Sequence, residues 1–263
     1  MATEQIMNRS VLVVGGVAET ESIVTGLEEV GANVVLCTAT DEVFPTLHNS
    51  AAVRISGRLN TEGFVALIKE QHPVCVVDIT HPYATEVKST LTEACGMCGV
   101  KLIRYVRPAT TVKEATDIMV VSSHEEAASL AKGLSGTVLL TTGANTVALY
   151  ASVFIQKGIP FYARVLSRKE SVDACSKAGL SEKQIVTGRG PFSAEENRRL
   201  ITELGIETLV TKDGGVSGGL PEKVSACRAC GAKLIVVERP QEPRGSFSEI
   251  EEVIDAVFKV MGR

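Results

Sequence analysis

Eleven short runs rich in Val, Ile and Leu recur along the chain, and most are separated by stretches whose apolar residues fall at helical spacing. "VLVVGG" (11–16) precedes "ETESIVTGLEEVG" (19–31), where Ile23, Leu27 and Val30 share one face and Gly31 suits a helix C-terminus. Strands are expected next at 32–38 and 51–56, then a helix at 61–72 with Thr61 as its N-cap, a strand at 74–80, a helix at 84–99 and a strand at 101–106. Runs apolar on both faces, alternating with amphipathic helices, predict parallel strands covered on both sides. Parallel neighbours need a crossover and cannot be closed by a tight turn.

Pro108 closes this unit, the segment 107–117 reads as a linker, and the rhythm restarts. Strands are expected at 118–123, 137–143, 160–166, 183–188, 207–212 and 233–238, and helices at 124–134, 145–157, 168–179, 193–205, 221–231 and 247–261. The expectation is an α/β protein with two domains of similar build, 1–108 and 109–263, the last helix belonging to the second. "ACGMCGVKLIRYVRP" (94–108) and "ACRACGAKLIVVERP" (226–240) agree at nine of fifteen positions and end the two domains alike: helix, glycine, strand, Arg-Pro. Duplication of a half-fold and convergence on the same helix-to-strand grammar both account for the match.

Each copy holds a Cys-x-x-Cys, which raises a metal or redox role for Cys95, Cys98, Cys227 and Cys230. Zinc ribbons space such pairs by about 15–20 residues, whereas these are 132 apart. They also sit at helix C-termini, where the dipole disfavours a thiolate. No metal site is expected, and the seven cysteines, without a secretion signal, indicate reduced thiols and a cytoplasmic setting. No apolar run reaches the ~18 residues of a membrane span. The net charge of −4 gives no general attraction to nucleic acid, so an anionic ligand must be met by local clusters of Arg and Lys. The chain is expected as a monomer or a small homo-oligomer.

In parallel α/β sheets ligands bind where strands end and helices begin. The first such loop, "GGVAETE" (15–21), offers Gly15 and Gly16 for close backbone approach and a helix N-terminus for a pyrophosphate, although it lacks Gly-x-Gly-x-x-Gly, and a plain tight turn is the alternative. The second strand ends without an acidic residue. Thr38 is a candidate donor to a ribose or 2′-phosphate, and Arg58 is within reach from the next loop, which leaves NADPH and NADH both open. "DITHPYATE" (78–86) places Tyr83 as proton source or loop anchor beside Thr80 and His81. "TKDGGVSGG" (211–219) puts Lys212 at the mouth of a buried strand, where it needs an anion: Asp213 or a ligand. Ser193 and Glu196 form a capping box that needs no ligand to explain it.

Taken in order, "GG-x-x-E", "GRL" (57–59), "D-x-THPYA" (78–84), "TTG-x-N" (141–145), "GPFS-x-E-x-N" (190–197) and "TKD-x-G" (211–215) resemble the precorrin-6A reductase family of cobalamin biosynthesis, which includes cobalt-precorrin-6A reductases, over residues 11–240. The resemblance implies two Rossmann-like domains with a ligand cleft between them: an N-terminal nucleotide-binding domain and a C-terminal substrate domain. It implies an oxidoreductase that reduces a double bond of the precorrin-6A macrocycle, a carboxylate-rich tetrapyrrole, to precorrin-6B with NADPH, NADH being the alternative. Gly15, Gly16, Val17, Glu19, Thr38, Arg58 and Thr80 are then expected at the cofactor. Val17 stands where the family usually has Thr. His81, Thr142, Asn145, Arg164, Arg189, Ser193 and Asp213 are expected at the substrate, within a basic rim, and Lys212 and Tyr83 at the reacting centre. The rival reading is a non-catalytic nicotinamide-nucleotide sensor on the same fold, which would ignore a tetrapyrrole.

Overall fold

The computed structural model describes residues 9–41, 44, 47, 50–108, 116–242 and 245–262, so most of the expected linker lies outside the described residues. The chain forms two compact units, Met1–Arg107 with Pro240–Arg263, and Pro108–Arg239. Among the described residues, no helix is long and apolar enough to cross a membrane.

The first unit runs β1 (Ser10–Gly15), α1 (Thr20–Glu29), β2 (Asn33–Thr38), β3 (Val53–Ser56), α2 (Thr61–Gln71), β4 (Cys75–Ile79), α3 (Thr85–Cys98) and β5 (Lys101–Arg104). Its sheet has the order β3-β2-β1-β4-β5, and every pair is parallel. Val13 of the central strand pairs with Leu36 on one side and Val77 on the other. Side chains alternate across the sheet. Val11 and Val13 join Ile23 and Leu27 of α1 in one core cluster, and Leu12 and Val14 join Phe64, Leu67 and Leu91 of α2 and α3 in another. Burial on both faces is why these strands read as unbroken apolar runs. The N-cap of α2 is Asn60, not Thr61: the Asn60 side chain accepts from the Gly63 backbone N–H at 2.9 Å, and Thr61 is the first helical residue. An Asn side chain in extended backbone reaches that orphan donor, which places the cap one residue earlier than expected.

The second unit runs β6 (Ile118–Val121), α4 (His124–Lys132), β7 (Thr137–Leu140), α5 (Ala144–Lys157), β8 (Phe161–Val165), α6 (Lys169–Lys177), β9 (Ile185–Thr187), α7 (Ala194–Glu203), β10 (Ile206–Lys212), α8 (Leu220–Cys230) and β11 (Lys233–Val237). Its all-parallel order is β6-β11-β10-β7-β8-β9. Read from the far edge, β9-β8-β7-β10-β11 reproduces the arrangement β3-β2-β1-β4-β5, with β6 added beyond β11. The two copies of the sequence repeat therefore occupy equivalent places, α3–β5 and α8–β11, each turning through a left-handed glycine, Gly99 (φ 66°) and Gly231 (φ 68°).

The last helix, α9 (Ile250–Val260), corrects the expected division at 109–263, because it returns to the first unit. Phe247 makes a parallel bridge to Tyr105 beside β5, and Lys88 of α3 pairs with Glu242 at 2.5 Å. Val253 and Val257 are fully buried in the cluster of Val11, Ile23 and Leu27. A Cβ on Gly26 would run into Ile254, so a glycine in α1 allows the two helices their close approach. The physical reason is the open flank of β5. In the second unit β6 and α4 cover the equivalent flank of β11, and here Phe247 and α9 do so. Each unit's outer strand position is thus filled by the segment that follows the other unit's Arg-Pro. Val257→Asp would put an unpaired charge into this core and should cost more than about 3 kcal/mol, read as a lowered midpoint in denaturant unfolding.

Candidate active site

Parallel strands bring their carboxyl ends to one edge of each sheet, so the loops that can hold a ligand are set by topology. In the first unit the foremost is the β1–α1 turn. A Cβ on Gly15 would collide with Ile79 of β4, whereas a Cβ on Gly16 would meet nothing within 4 Å. Gly15 therefore serves packing, and Gly16 leaves the surface above the turn open. Thr20, fully buried, closes the turn by accepting from the Val17 backbone N–H at 3.0 Å. Glu19 is bonded to Arg107 Nε and Nη2 at 2.8 and 2.6 Å.

Around it stand the other loops of that edge. The Thr38 hydroxyl donates to the Thr40 carbonyl at 2.7 Å, so its proton is used within the β2 turn. Arg58 is exposed on the loop after β3, next to Gly57, which has φ 135° and open space where a Cβ would be. The loop after β4 is anchored by Asp78, 1% exposed, which accepts from the Thr80 backbone and hydroxyl at 2.9 and 2.7 Å and from Arg104 Nε at 2.8 Å. That buried pair was missed in the sequence, although a carboxylate inside an apolar strand signals a cation nearby. His81 Nδ1 accepts from the Tyr83 backbone N–H at 3.3 Å, and the two half-buried rings lie 5.7 Å apart.

The second unit gathers positive charge at the same edge. Arg164 of β8, expected on a rim, is instead 7% exposed. It stacks 4.0 Å from the Phe192 ring centroid and donates to Asn197 Oδ1 at 2.8 Å, and burial pushes its pKa down to about 10. Aromatic stacking and one amide acceptor let the guanidinium live below the surface. Lys223 of α8 donates to the Gly218 and Gly219 carbonyls at 2.7 and 3.3 Å. Its pKa is pushed down to about 8, first by burial and then by the charge of Arg164, with Lys212 adding a smaller push. Burial also lowers Lys212, at the tip of β10. Asp213 spends its carboxylate on Arg239, at 3.1 and 3.2 Å, and on the Gly215 backbone N–H at 2.9 Å.

The remaining expected residues divide by exposure. Thr142 is buried and shares a 2.7 Å hydroxyl contact with Thr146, while Asn145 is exposed on the first turn of α5. Ser193 and Glu196 form the capping box of α7, and Arg189 is exposed on the loop before it. Two further residues belong to this edge and were not read from the sequence. His124, the first residue of α4, contacts the hydroxyl of the fully buried Tyr150 at 2.8 Å, and its pKa is lowered by burial and then by Lys212. His124 follows a strand end directly, a usable signal; Tyr150 lies at ordinary core spacing and carries none.

The cysteines of the repeat lie in the last turns of α3 and α8, at the opposite ends of the strands. Burial pushes Cys95 up to about 11 and Cys227 up to about 12, which disfavours the reactive thiolate at both.

A family model described as precorrin-6x reductase CbiJ/CobK matches residues 10–257. A cobalt-precorrin-6A reductase of Priestia megaterium is 30% identical over 253 residues, covering 94% of this chain and 97% of that one. A cobalt-precorrin-6A reductase of Salmonella typhimurium is 32% identical over 231 residues, covering 88% and 87%. The solved structure of CobK precorrin-6A reductase superposes with a TM-score of 0.77 at 20% identity, covering 95% of this chain and 97% of that one, and so shares the fold.

Two outcomes follow from the geometry. Gly15→Ala should cost about 1–3 kcal/mol of stability by overpacking against Ile79, and Gly16→Ala less than about 0.5, as measured by thermal unfolding. Cys95 and Cys227 should resist a thiol reagent at pH 8 in the folded protein and react once it is unfolded.

Proposed function

The chain belongs to the precorrin-6x reductase family, and we propose from this that it reduces a double bond of the precorrin-6A macrocycle in its cobalt-carrying form, giving the 6B product, in the cytoplasm. The family implies a nicotinamide cofactor, and we assign NADPH. The single observation that carries the substrate reading is the cluster of Arg164, Lys212 and Lys223, whose charges are held at the carboxyl ends of β8 and β10 against the cost of burial. A macrocycle edged with carboxylates suits such a site, because a carboxylate there offsets the charges of Arg164 and Lys212, which already lower the pKa of Lys223.

The first unit fits the nucleotide. The open space over Gly16 admits a pyrophosphate to the backbone of Gly16 and to the α1 N-terminus, where the helix dipole favours negative charge. Val17 lacks the family's hydroxyl and its backbone N–H is held by Thr20, so the contact falls to Gly16 and the helix N-terminus. Arg58 supplies a cation for a 2′-phosphate, and the β2 tip carries Thr38 where NAD-preferring sites carry an acid, which favours NADPH. Bound, the reduced nicotinamide supplies a hydride.

Hydride addition to one carbon of a double bond leaves its neighbour in need of a proton. Lys212 is the better donor because burial lowers its pKa and so eases proton release. Tyr83 stands on the β4–α3 loop as orienting group or second donor. Arg189 and Asn145, exposed on neighbouring loops, are placed to meet the macrocycle's carboxylates, while Arg164 and Lys223 hold the loops beneath.

Purified protein should oxidise NADPH in the presence of cobalt-precorrin-6A more readily than with the metal-free macrocycle or with NADH. Lys212→Ala should lower kcat about 100-fold or more. The alkaline limb of the pH–rate profile should lie below lysine's ordinary 10.5, since activity ends when the donor is deprotonated. Turnover unchanged in both Lys212→Ala and Tyr83→Phe would remove the proton-donor assignment. Nucleotide binding with no response to the macrocycle would mark a sensor instead.

A further inference from the structure

Arg107 and Arg239 end the two copies of the repeat, and the reading above gives neither a task. They are also the last residues of their units before the chain crosses, since the boundaries fall between Arg107 and Pro108 and between Arg239 and Pro240. Arginines at such crossings are ordinarily solvated, yet these side chains are only 9% and 10% exposed. Each turns back into its own unit and grips a carboxylate on a strand-to-helix loop.

Arg107 donates two hydrogen bonds to Glu19 Oε2, and Glu19 is the residue just before α1, in the turn that carries Gly16 and Val17. Arg239 donates to both oxygens of Asp213, whose Oδ1 also accepts from Gly215, so this bond fixes the loop that begins at Lys212. The loops are not equivalent: Glu19 follows β1, while Asp213 follows β10, the counterpart of β4. An arginine merely inherited with a duplicated strand would be expected to find the same partner twice. Here one arginine reaches each of the two loops assigned to the ligands. Arg239 engages both oxygens and so sets the plane of the Asp213 carboxylate as well as its position, and Arg107 holds one oxygen of Glu19 from two nitrogens; a point charge does neither.

We propose that Arg107 and Arg239 are positioning residues of the reductase, one for each ligand. Arg107 sets the β1–α1 turn for the nucleotide, and Arg239 sets the Lys212 loop for the macrocycle. This rests on the assignment of nucleotide and macrocycle to the first and second units.

The test is a crossed measurement on the full chain. NADPH affinity is read by fluorescence titration, and KM and kcat by turnover of cobalt-precorrin-6A. Arg107→Ala should weaken NADPH binding about tenfold or more and leave KM for the macrocycle within about twofold. Arg239→Ala should raise KM for the macrocycle or lower kcat about tenfold or more and leave NADPH affinity within about twofold. The Lys variants should recover part of each loss, because charge is kept and the fork is not. Arg198→Ala, which breaks an exposed pair with Glu195 on α7, should leave all three constants unchanged. Should an alanine variant fail to fold, Glu19→Gln and Asp213→Asn remove the same ion pairs at constant shape and should give the same split. Parallel changes in both ligands' constants, or in neither, would show a merely structural role and overturn the proposal. Gly16→Val separates the two levels. If it spares NADPH binding, the nucleotide assignment fails and takes this proposal with it. If it abolishes binding while Arg107→Ala does not weaken it, only the positioning role fails.

Discussion

Every strand pair in both sheets is parallel, and the rest of the structure follows from that constraint. A parallel neighbour is reached only by carrying the chain back over a face of the sheet, so each strand is buried on both sides and each strand end opens into a loop at the same edge. Val11 and Val13 face α1 while Leu12 and Val14 face α2 and α3, because a strand between two helical layers has no solvent side. The loops at the carboxyl edge carry Gly16, Tyr83, Arg164, Lys212 and the cations that sense one another. The same geometry sends the cysteines of the repeat to the other edge, where burial keeps the thiols of Cys95 and Cys227 protonated.

The second consequence concerns sheet flanks. A five-stranded order of 3-2-1-4-5 leaves the last strand with an uncovered side, and an open edge is a liability. The chain resolves this twice by exchange. After β5 it leaves to lay β6 beside β11, and after β11 it returns to lay Phe247 and α9 beside β5. The two Arg-Pro pairs mark these crossings. Arg239 also donates to the Pro108 carbonyl at 3.4 Å, so the end of one crossing touches the start of the other.

Element grammar was legible residue by residue. All eleven strands and nine helices expected from apolar spacing are present, with ends displaced by a few residues where loops absorb the tips. The Thr61 N-cap erred because Asn60, one position earlier, is the better acceptor. The loops at the carboxyl ends of the strands were legible too, since they follow from strand order, and the motifs on them match the family. What those loops do internally was not. Arg164 was expected at a rim and is buried over Phe192. Asp213 was weighed as the partner of Lys212, and its carboxylate is instead held by Arg239 and Gly215. Tyr150 carried no signal at all, being one more large residue on a helix face.

By itself the sequence determined the kinds of element, their order and the edge at which the strand-to-helix loops gather, because periods of two and 3.6 residues are local properties of a chain. Tertiary structure alone decided which unit the last helix joins and which acids Arg104, Arg107 and Arg239 hold. Glu19 and Arg107 lie 88 residues apart. No local pattern links them; they meet because a buried cation must find a partner among whatever distant segments the sheet has brought to its side.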